Sequence, residues 1–229
     1  MILRTRQPRT ADARAPVKLA IRGAKPLGLR DAPRDPVDAK AGLRFEVGQR
    51  RREFRNWLSV ANATEQIGRL PDPGCSLHGI MRGNFSYGDL IPAVLRLCQP
   101  ATLAYVACTT LGFSVRASSA IVRLLDSGQI ARCDFVCADF FEKADADICR
   151  QFRVDLESRG SRFTSARCHA KILLFATTSG EHYTSEASAN IRACRSVEQF
   201  CLTNDPELFQ FHRGWIRELF ADGKKETAD

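Results

Sequence analysis

His169-Ala170-Lys171-Ile172-Leu173-Leu174-Phe175 is the stretch on which the reading of this chain turns. A histidine and a lysine two residues apart open an apolar run. Side chains of a strand alternate with period two, so the pair is expected on one face of a β-strand. The run Ile172 to Phe175 predicts that the strand is buried, with the polar pair at its mouth. After a polar turn containing Ser179-Gly180-Glu181, Ser188-Ala189-Asn190 repeats the same spacing. Two adjacent strands would gather imidazole, ammonium, hydroxyl and amide around one point. Such a set suits a phosphoryl group held by cationic and neutral donors and attacked by a histidine.

Outward from this stretch, the chain alternates between strand-like and helix-like segments. Strands are expected over Ser76–Met81, Thr102–Thr109, Cys133–Ala138, Arg162–Ser165, His169–Phe175, Tyr183–Glu186 and Val197–Thr203. Helices are expected over Asp89–Leu97, Ser118–Leu125 and Lys143–Ser158. A last helix opens at Asp205-Pro206, with proline in its first turn. Strands separated by helices predict an α/β domain, a mixed β-sheet flanked by helices on both faces. Its expected span is 68–221, followed by a polar tail over 222–229. Residues 43–67 read as an amphipathic basic helix, over 49–62, and linker. Phe54, Trp57, Leu58 and Ala61 form its apolar stripe, with Arg50, Arg51, Arg52 and Arg55 mostly elsewhere. Docking of this helix on the domain and a basic face offered to nucleic acid are both open. Residues 1–42 hold five of the ten prolines and read as a basic, extended or disordered arm.

The net charge of +8 on 229 residues is unevenly placed: residues 1–56 carry +9 and residues 57–229 carry −1. The basic excess therefore belongs to the N-terminal extension, and the domain needs a local groove if it is to hold a polyanion. Nine cysteines form no zinc-like ladder, and Cys98, Cys108, Cys137 and Cys201 lie in apolar runs where a thiol acts as a small hydrophobe. Free thiols, no visible secretory signal and no apolar stretch of membrane-spanning length lead to the expectation of a cytoplasmic protein without stable membrane association and without a metal or other cofactor.

His169-x-Lys171, Ser188-x-Asn190 and the downstream Glu198 resemble the histidine–lysine–aspartate signature of the phospholipase D superfamily of phosphodiesterases and nucleases. More narrowly, Arg82-Gly83-Asn84-Phe85, Ser188-Ala189-Asn190-Ile191-Arg192, Val197-Glu198-Gln199-Phe200 and Phe211-His212-Arg213-Gly214-Trp215-Ile216 resemble single-motif members found in phages and prophages. The likeness runs over roughly residues 68–220. The chain departs from the pattern at Ala176, where the family has aspartate, and at Ala187, where it has glycine. The hairpin between the two halves of the motif is also longer than the common spacing.

The resemblance implies a metal-independent phosphodiesterase, in the first place a nuclease, acting through a covalent phosphohistidine on His169. Lys171, Asn190 and Ser188 would hold the equatorial oxygens, and Glu198 would orient the histidine. Arg82, Asn84 and Arg192 are candidates to extend the site along a substrate backbone, although each also suits plain loop hydrogen bonding. One histidine does not serve readily as both nucleophile and acid. With one motif per chain, the resemblance implies a homodimer whose second His169 comes from the partner, with DNA or RNA as the expected substrate. His182 is expected exposed at a hairpin tip, and His212 is expected to be structural. The competing reading is a catalytically reduced nucleic-acid-binding or phage-assembly protein that keeps the fold. Lipid hydrolysis is a third reading, disfavoured by the absence of a lipid-inserting segment.

Overall fold

The computed structural model describes residues 58–193 and 195–222. The expected arm over 1–42, the arginine-rich part of the helix expected from residue 49, and the tail beyond Asp222 lie outside the described residues. The described part of the first helix, α1 (58–67), continues past the expected end at residue 62. It docks on the domain through Ala63 and Ile67, both buried, while Leu58 is 43% exposed. The apolar stripe that packs is thus shifted from the expected one: Val60, Ala63 and Ile67 follow the helical spacing, and Leu58 falls off that face.

Seven strands follow: β1 (Ser76–Met81), β2 (Leu103–Thr110), β3 (Cys133–Ala138), β4 (Arg162–Ala166), β5 (Ile172–Thr177), β6 (His182–Ala187) and β7 (Glu198–Asn204). They form one sheet in the order β1-β7-β6-β5-β2-β3-β4. β2, β3 and β4 run parallel, and every other pairing is antiparallel. The helices between them are α2 (Leu90–Leu97), entered through a 3-10 turn over Tyr87–Asp89, then α3 (Val115–Asp126), α4 (Asp139–Ala144), α5 (Ala146–Glu157) and α6 (Pro206–Asp222). The α/β class, a mixed sheet covered on both faces, is as expected.

The run Ile172 to Phe175 shows why alternation is missing from the sequence. Leu173 and Phe175 face the larger core, while Ile172 and Leu174 face the smaller one beneath α6, where Phe209, Ile216 and Phe220 close over them. On the larger side, Phe113 packs against Phe135, Phe141 and Phe152 with ring centroids 5.1, 5.1 and 5.2 Å away. α6 starts as the sequence predicts. The Asp205 carboxylate accepts from the backbone N–H groups of Glu207 (2.8 Å) and Leu208 (3.2 Å), and Pro206 occupies the first turn, where no N–H is needed.

Two elements differ from expectation. The helix expected over Lys143–Ser158 starts only at Ala146, as α5, and is preceded by an unexpected short helix, α4, from which it is broken at Asp145 (φ −126, ψ 49). The backbone N–H of Asp145 closes α4 on Phe141 O and its carbonyl opens α5, a boundary role that aspartate fills better than a helix interior. The strand expected from His169 starts only at Ile172, because the Thr109 side chain takes the place of the ladder there.

A polar network ties β2, β3 and β4 at their amino ends. Asp134, buried, receives both nitrogens of the Arg162 fork at 2.9 and 2.6 Å and the Tyr105 hydroxyl at 2.8 Å. Burial pushes the Asp134 carboxyl up, but the hydrogen bonds from Arg162 and Tyr105, with the charges of Arg162 and Arg132, outweigh it and hold the group below the usual carboxylate range. A carboxyl lowered on folding adds stability that is complete above its unfolded value of about 3.9 and is lost as pH falls through the folded value. Asp134→Asn is therefore expected to cost about 3–5 kcal/mol at neutral pH, measured by chemical denaturation. The gap to wild type should narrow in strong acid; a gap that does not change with pH would contradict the account.

Candidate active site

The register of the sheet decides which side chains can meet. β5 begins where β6 ends: Ile172 pairs with Glu186, and Ala187 N–H donates to Lys171 O at 3.1 Å. β6 meets the start of β7, with Ala187 opposite Phe200, and Met81 at the end of β1 lies opposite Glu198. On the other side, Thr109 of β2 pairs with Ile172, and β3 and β4 run parallel to β2. His169, Lys171, Ser188, Asn190, Glu198, Arg82 and Asn84 therefore all lie along one edge, beyond the carboxyl ends of the parallel strands. Ligand sites of open α/β sheets gather at that edge.

Two consecutive threonines at the end of β2, both fully buried, hold the halves of the site. The Thr109 hydroxyl donates to Ala170 O at 3.1 Å and accepts from Ile172 N–H at 3.1 Å, bracketing Lys171. The Thr110 hydroxyl accepts from Ile191 N–H at 3.1 Å and lies 2.9 Å from Gly112 O and 3.3 Å from Asn190 Oδ1, holding the turn that carries Asn190. Tyr87, also fully buried, donates to Ser185 O at 2.9 Å with Lys171 O at 3.4 Å. Burial raises the Tyr87 hydroxyl far above its ordinary range, so it serves as a fixed neutral donor. None of these three was singled out from sequence. The signal was present in two hydroxyls closing the buried run Val106-Ala107-Cys108.

The functional groups stand on this frame. Lys171 Nζ lies 2.9 Å from His169 Nδ1. An ammonium can only donate, so Nδ1 accepts and a neutral ring carries its proton on Nε2. Asn190 Oδ1 accepts from Leu111 N–H at 3.0 Å, which settles the orientation of the amide and leaves Nδ2 without a partner among the described residues. The Ser188 hydroxyl donates to Glu198 Oε2 and accepts from Gln199 N–H at 3.1 Å. The chemistry on offer is an imidazole, an ammonium and a preoriented amide donor, beside a serine–carboxylate pair.

The remaining candidates separate. Asn84 is engaged by its own loop, since its Oδ1 accepts from Arg82 N–H at 3.3 Å and its backbone carbonyl accepts from Asn62 Nδ2 at 3.1 Å. Arg82 and Arg192 are exposed at the same edge. β1 is three strand spacings from β5, about 14 Å, so Arg82 stands apart from His169 along this edge. His182 is not an exposed tip residue: its ring packs edge-on against Phe209, centroids 4.6 Å apart. His212 is buried, accepts from Trp215 Nε1 at 3.1 Å and faces Glu186 at 3.3 Å. Burial lowers it despite the opposing pull of Glu186, in keeping with a neutral structural residue. Ala176 lies near the far end of β5, about 16 Å along the strand from Lys171, half-buried against the core under α6. An aspartate there could not reach a phosphate at His169. Ala187 is the last residue of β6, where extended backbone accepts a Cβ.

No family model and no curated protein matches the chain. Among solved structures it is similar to Nuc, a phospholipase D family member from Salmonella typhimurium, at 12% identity and TM-score 0.48 over 65% of this chain and 95% of that one. It is also similar to polyphosphate kinase from Porphyromonas gingivalis, at 12% identity and TM-score 0.49 over 69% of this chain, although it spans only 29% of that protein. Yeast tyrosyl-DNA phosphodiesterase follows at 12% identity and TM-score 0.34, over 56% of this chain and 31% of that one. At such identities and TM-scores no activity is carried across.

If Thr110 holds the Asn190 turn, Thr110→Val should cost about 1–3 kcal/mol, because it leaves a buried N–H unpaired. The Ile191 amide should also exchange faster with solvent. Unchanged stability and unchanged protection of that amide would show that the hydroxyl does not hold the turn.

Proposed function

We propose that this protein is a phospholipase D-like phosphodiesterase, a nuclease that hydrolyses phosphodiester bonds without a metal ion and works as a homodimer. The observation that carries the reading is the His169–Lys171 contact at 2.9 Å, at the sheet edge where the Asn190 amide is fixed through Oδ1, its N–H groups unpaired among the described residues. A phosphate entering between the histidine and the lysine competes for the ammonium. As Lys171 turns to a phosphate oxygen, a lone pair of the imidazole is released. Attack on phosphorus forms the N–P bond and breaks the bond to the leaving oxygen, giving a phosphohistidine. Lys171 and Asn190 stabilise charge on the equatorial oxygens, the part that metal ions play in other phosphoryl-transfer sites.

The leaving oxygen needs a proton, and in this scheme the partner subunit's His169 supplies it. Water then attacks phosphorus, the N–P bond breaks, and the partner's histidine takes up the water proton. The rim fits such a pairing: Val115 (57% exposed), Phe140 (56%) and Val197 (68%) all lie just beyond strand ends at the catalytic edge. Ser188 and Glu198 form the carboxylate side of the site, and in this scheme Glu198 stabilises the charged histidine once Lys171 has moved.

One observation favours the second reading, a catalytically reduced nucleic-acid-binding or assembly protein. With Lys171 on Nδ1, that nitrogen cannot at the same time donate to a carboxylate. Labelled single- and double-stranded DNA and RNA, incubated in excess EDTA with wild type and with His169→Ala, separate the two. Cleavage is expected for wild type alone, with a loss of at least about 10³-fold in the variant, as for removal of a covalent nucleophile. Saturable binding without cleavage by a folded dimer would overturn the enzyme reading.

A further inference from the structure

The opposite edge of the sheet holds a second, cationic pocket that the catalytic reading does not use. A cavity of about 360 Å³ opens between α6 and the amino ends of β2, β3 and β4. Four arginines line it: Arg132 before β3, Arg162 at the start of β4, and Arg213 and Arg217 on α6. Asp134 is its one carboxylate, so the lining carries a net charge of +3. The strands that separate it from the catalytic edge are five or six residues long, about 17–20 Å.

Several features distinguish this pocket from a solvated basic surface. Arg162 is held by its fork to Asp134 and lies over the Phe220 ring, 4.2 Å from the centroid. Arg213 lies over Tyr105, 5.3 Å from the centroid, and its Nε is shut off from solvent without a hydrogen-bond partner. Both guanidiniums are therefore preoriented, and an anion would pay little to order them. Asp134 is already engaged by Arg162 and Tyr105, with Arg132 at 3.4 Å. Arg213 and Arg217 have no carboxylate partner among the described residues. They stand one helical turn apart, where like charges repel, and both line the same cavity. A cavity of this size is in the range of small-ligand sites. Planar forks with several donors match the oxygens of a phosphate group.

We propose that this pocket is a second phosphate-binding site, recognising a phosphate oxyanion through Arg213 and Arg217, with Arg162 and Arg132 completing the positive wall. The inference does not depend on His169 being a nucleophile. The same chemistry could be presented by a terminal or free phosphate or by an internal phosphate of a polynucleotide.

The test is titration calorimetry of the full-length protein at low salt. The background is Lys171→Ala, so that binding at the catalytic edge does not contribute. Three probes are compared: inorganic phosphate, an oligonucleotide with a 5′-phosphate, and the same oligonucleotide with hydroxyl ends. Saturable binding of at least one probe is expected, weakened about ten-fold or more by Arg217→Ala. Arg217→Lys should fall between the two, since it keeps the charge but loses the fork. Arg217 is exposed on α6, so its replacement should leave the fold intact, and a thermal melt verifies this. Preference for inorganic phosphate or the 5′-phosphorylated strand assigns the site to terminal or free phosphate, while equal binding of both oligonucleotides assigns it to the backbone. Absence of saturable binding by all three probes, or binding unaffected by both Arg217→Ala and an Arg213→Gln/Arg217→Ala double variant, would overturn the proposal. Either result leaves the His169 reading to its own cleavage assay.

Discussion

The edge that carries the candidate site depends on two hydroxyls at adjacent positions of one strand. Neighbouring residues of β2 point to opposite faces of the sheet, and Thr109 and Thr110 use that alternation to hold two different segments. Thr109 replaces the regular ladder at Ala170 and Ile172, so the chain leaves β5 just before its first residue and carries His169 and Lys171 out of the sheet. Thr110 pins Ile191 and thereby the turn that carries Asn190. Both residues are fully buried, where a hydroxyl must find partners or cost stability. That requirement gives the site its geometry. A polar constellation on two irregular segments is as well ordered as the strand to which they are tied.

Much of this was legible in the sequence, for identifiable reasons. The unbroken run Ile172 to Phe175 reports a strand covered on both faces, and the two cores that receive its alternating side chains bear this out. Asp205-Pro206 announces the start of α6, because capping and a missing N–H are local effects. The positions of His169, Lys171, Ser188 and Asn190 at one edge follow from antiparallel pairing of β5 and β6, which the turn between them already implies. What escaped is non-local. The break at Asp145 is a choice between one helix and two that propensity barely separates. The packing of His182 against Phe209 depends on where α6 crosses the sheet. The roles of Tyr87, Thr109 and Thr110 arise only once strands distant in sequence are neighbours.

The two ends of the sheet divide the polar chemistry. At the edge that carries the candidate site, charge is spread out: Lys171 beside His169, Ser188 against Glu198, and Arg82 and Arg192 exposed. At the amino end, charge is concentrated, with one buried aspartate inside a wall of arginines. The near-neutral total over residues 57–229 hides this separation, which is why net charge alone predicts no anion site within the domain. Ala176 belongs to the same lesson in reverse. It is a departure from the sequence motif, yet it lies about 16 Å along β5 from Lys171, half-buried against the apolar core under α6 and away from the candidate site.

The central claim is that His169 becomes covalently bonded to phosphorus. The direct measurement is mass spectrometry of protein denatured rapidly at alkaline pH during turnover of a cleaved oligonucleotide, since an N–P bond is labile in acid. An adduct on His169 carrying one fragment of the substrate, absent from His169→Ala, is the predicted result. Turnover with no adduct on His169, or with the adduct on Ser188 instead, would contradict the account.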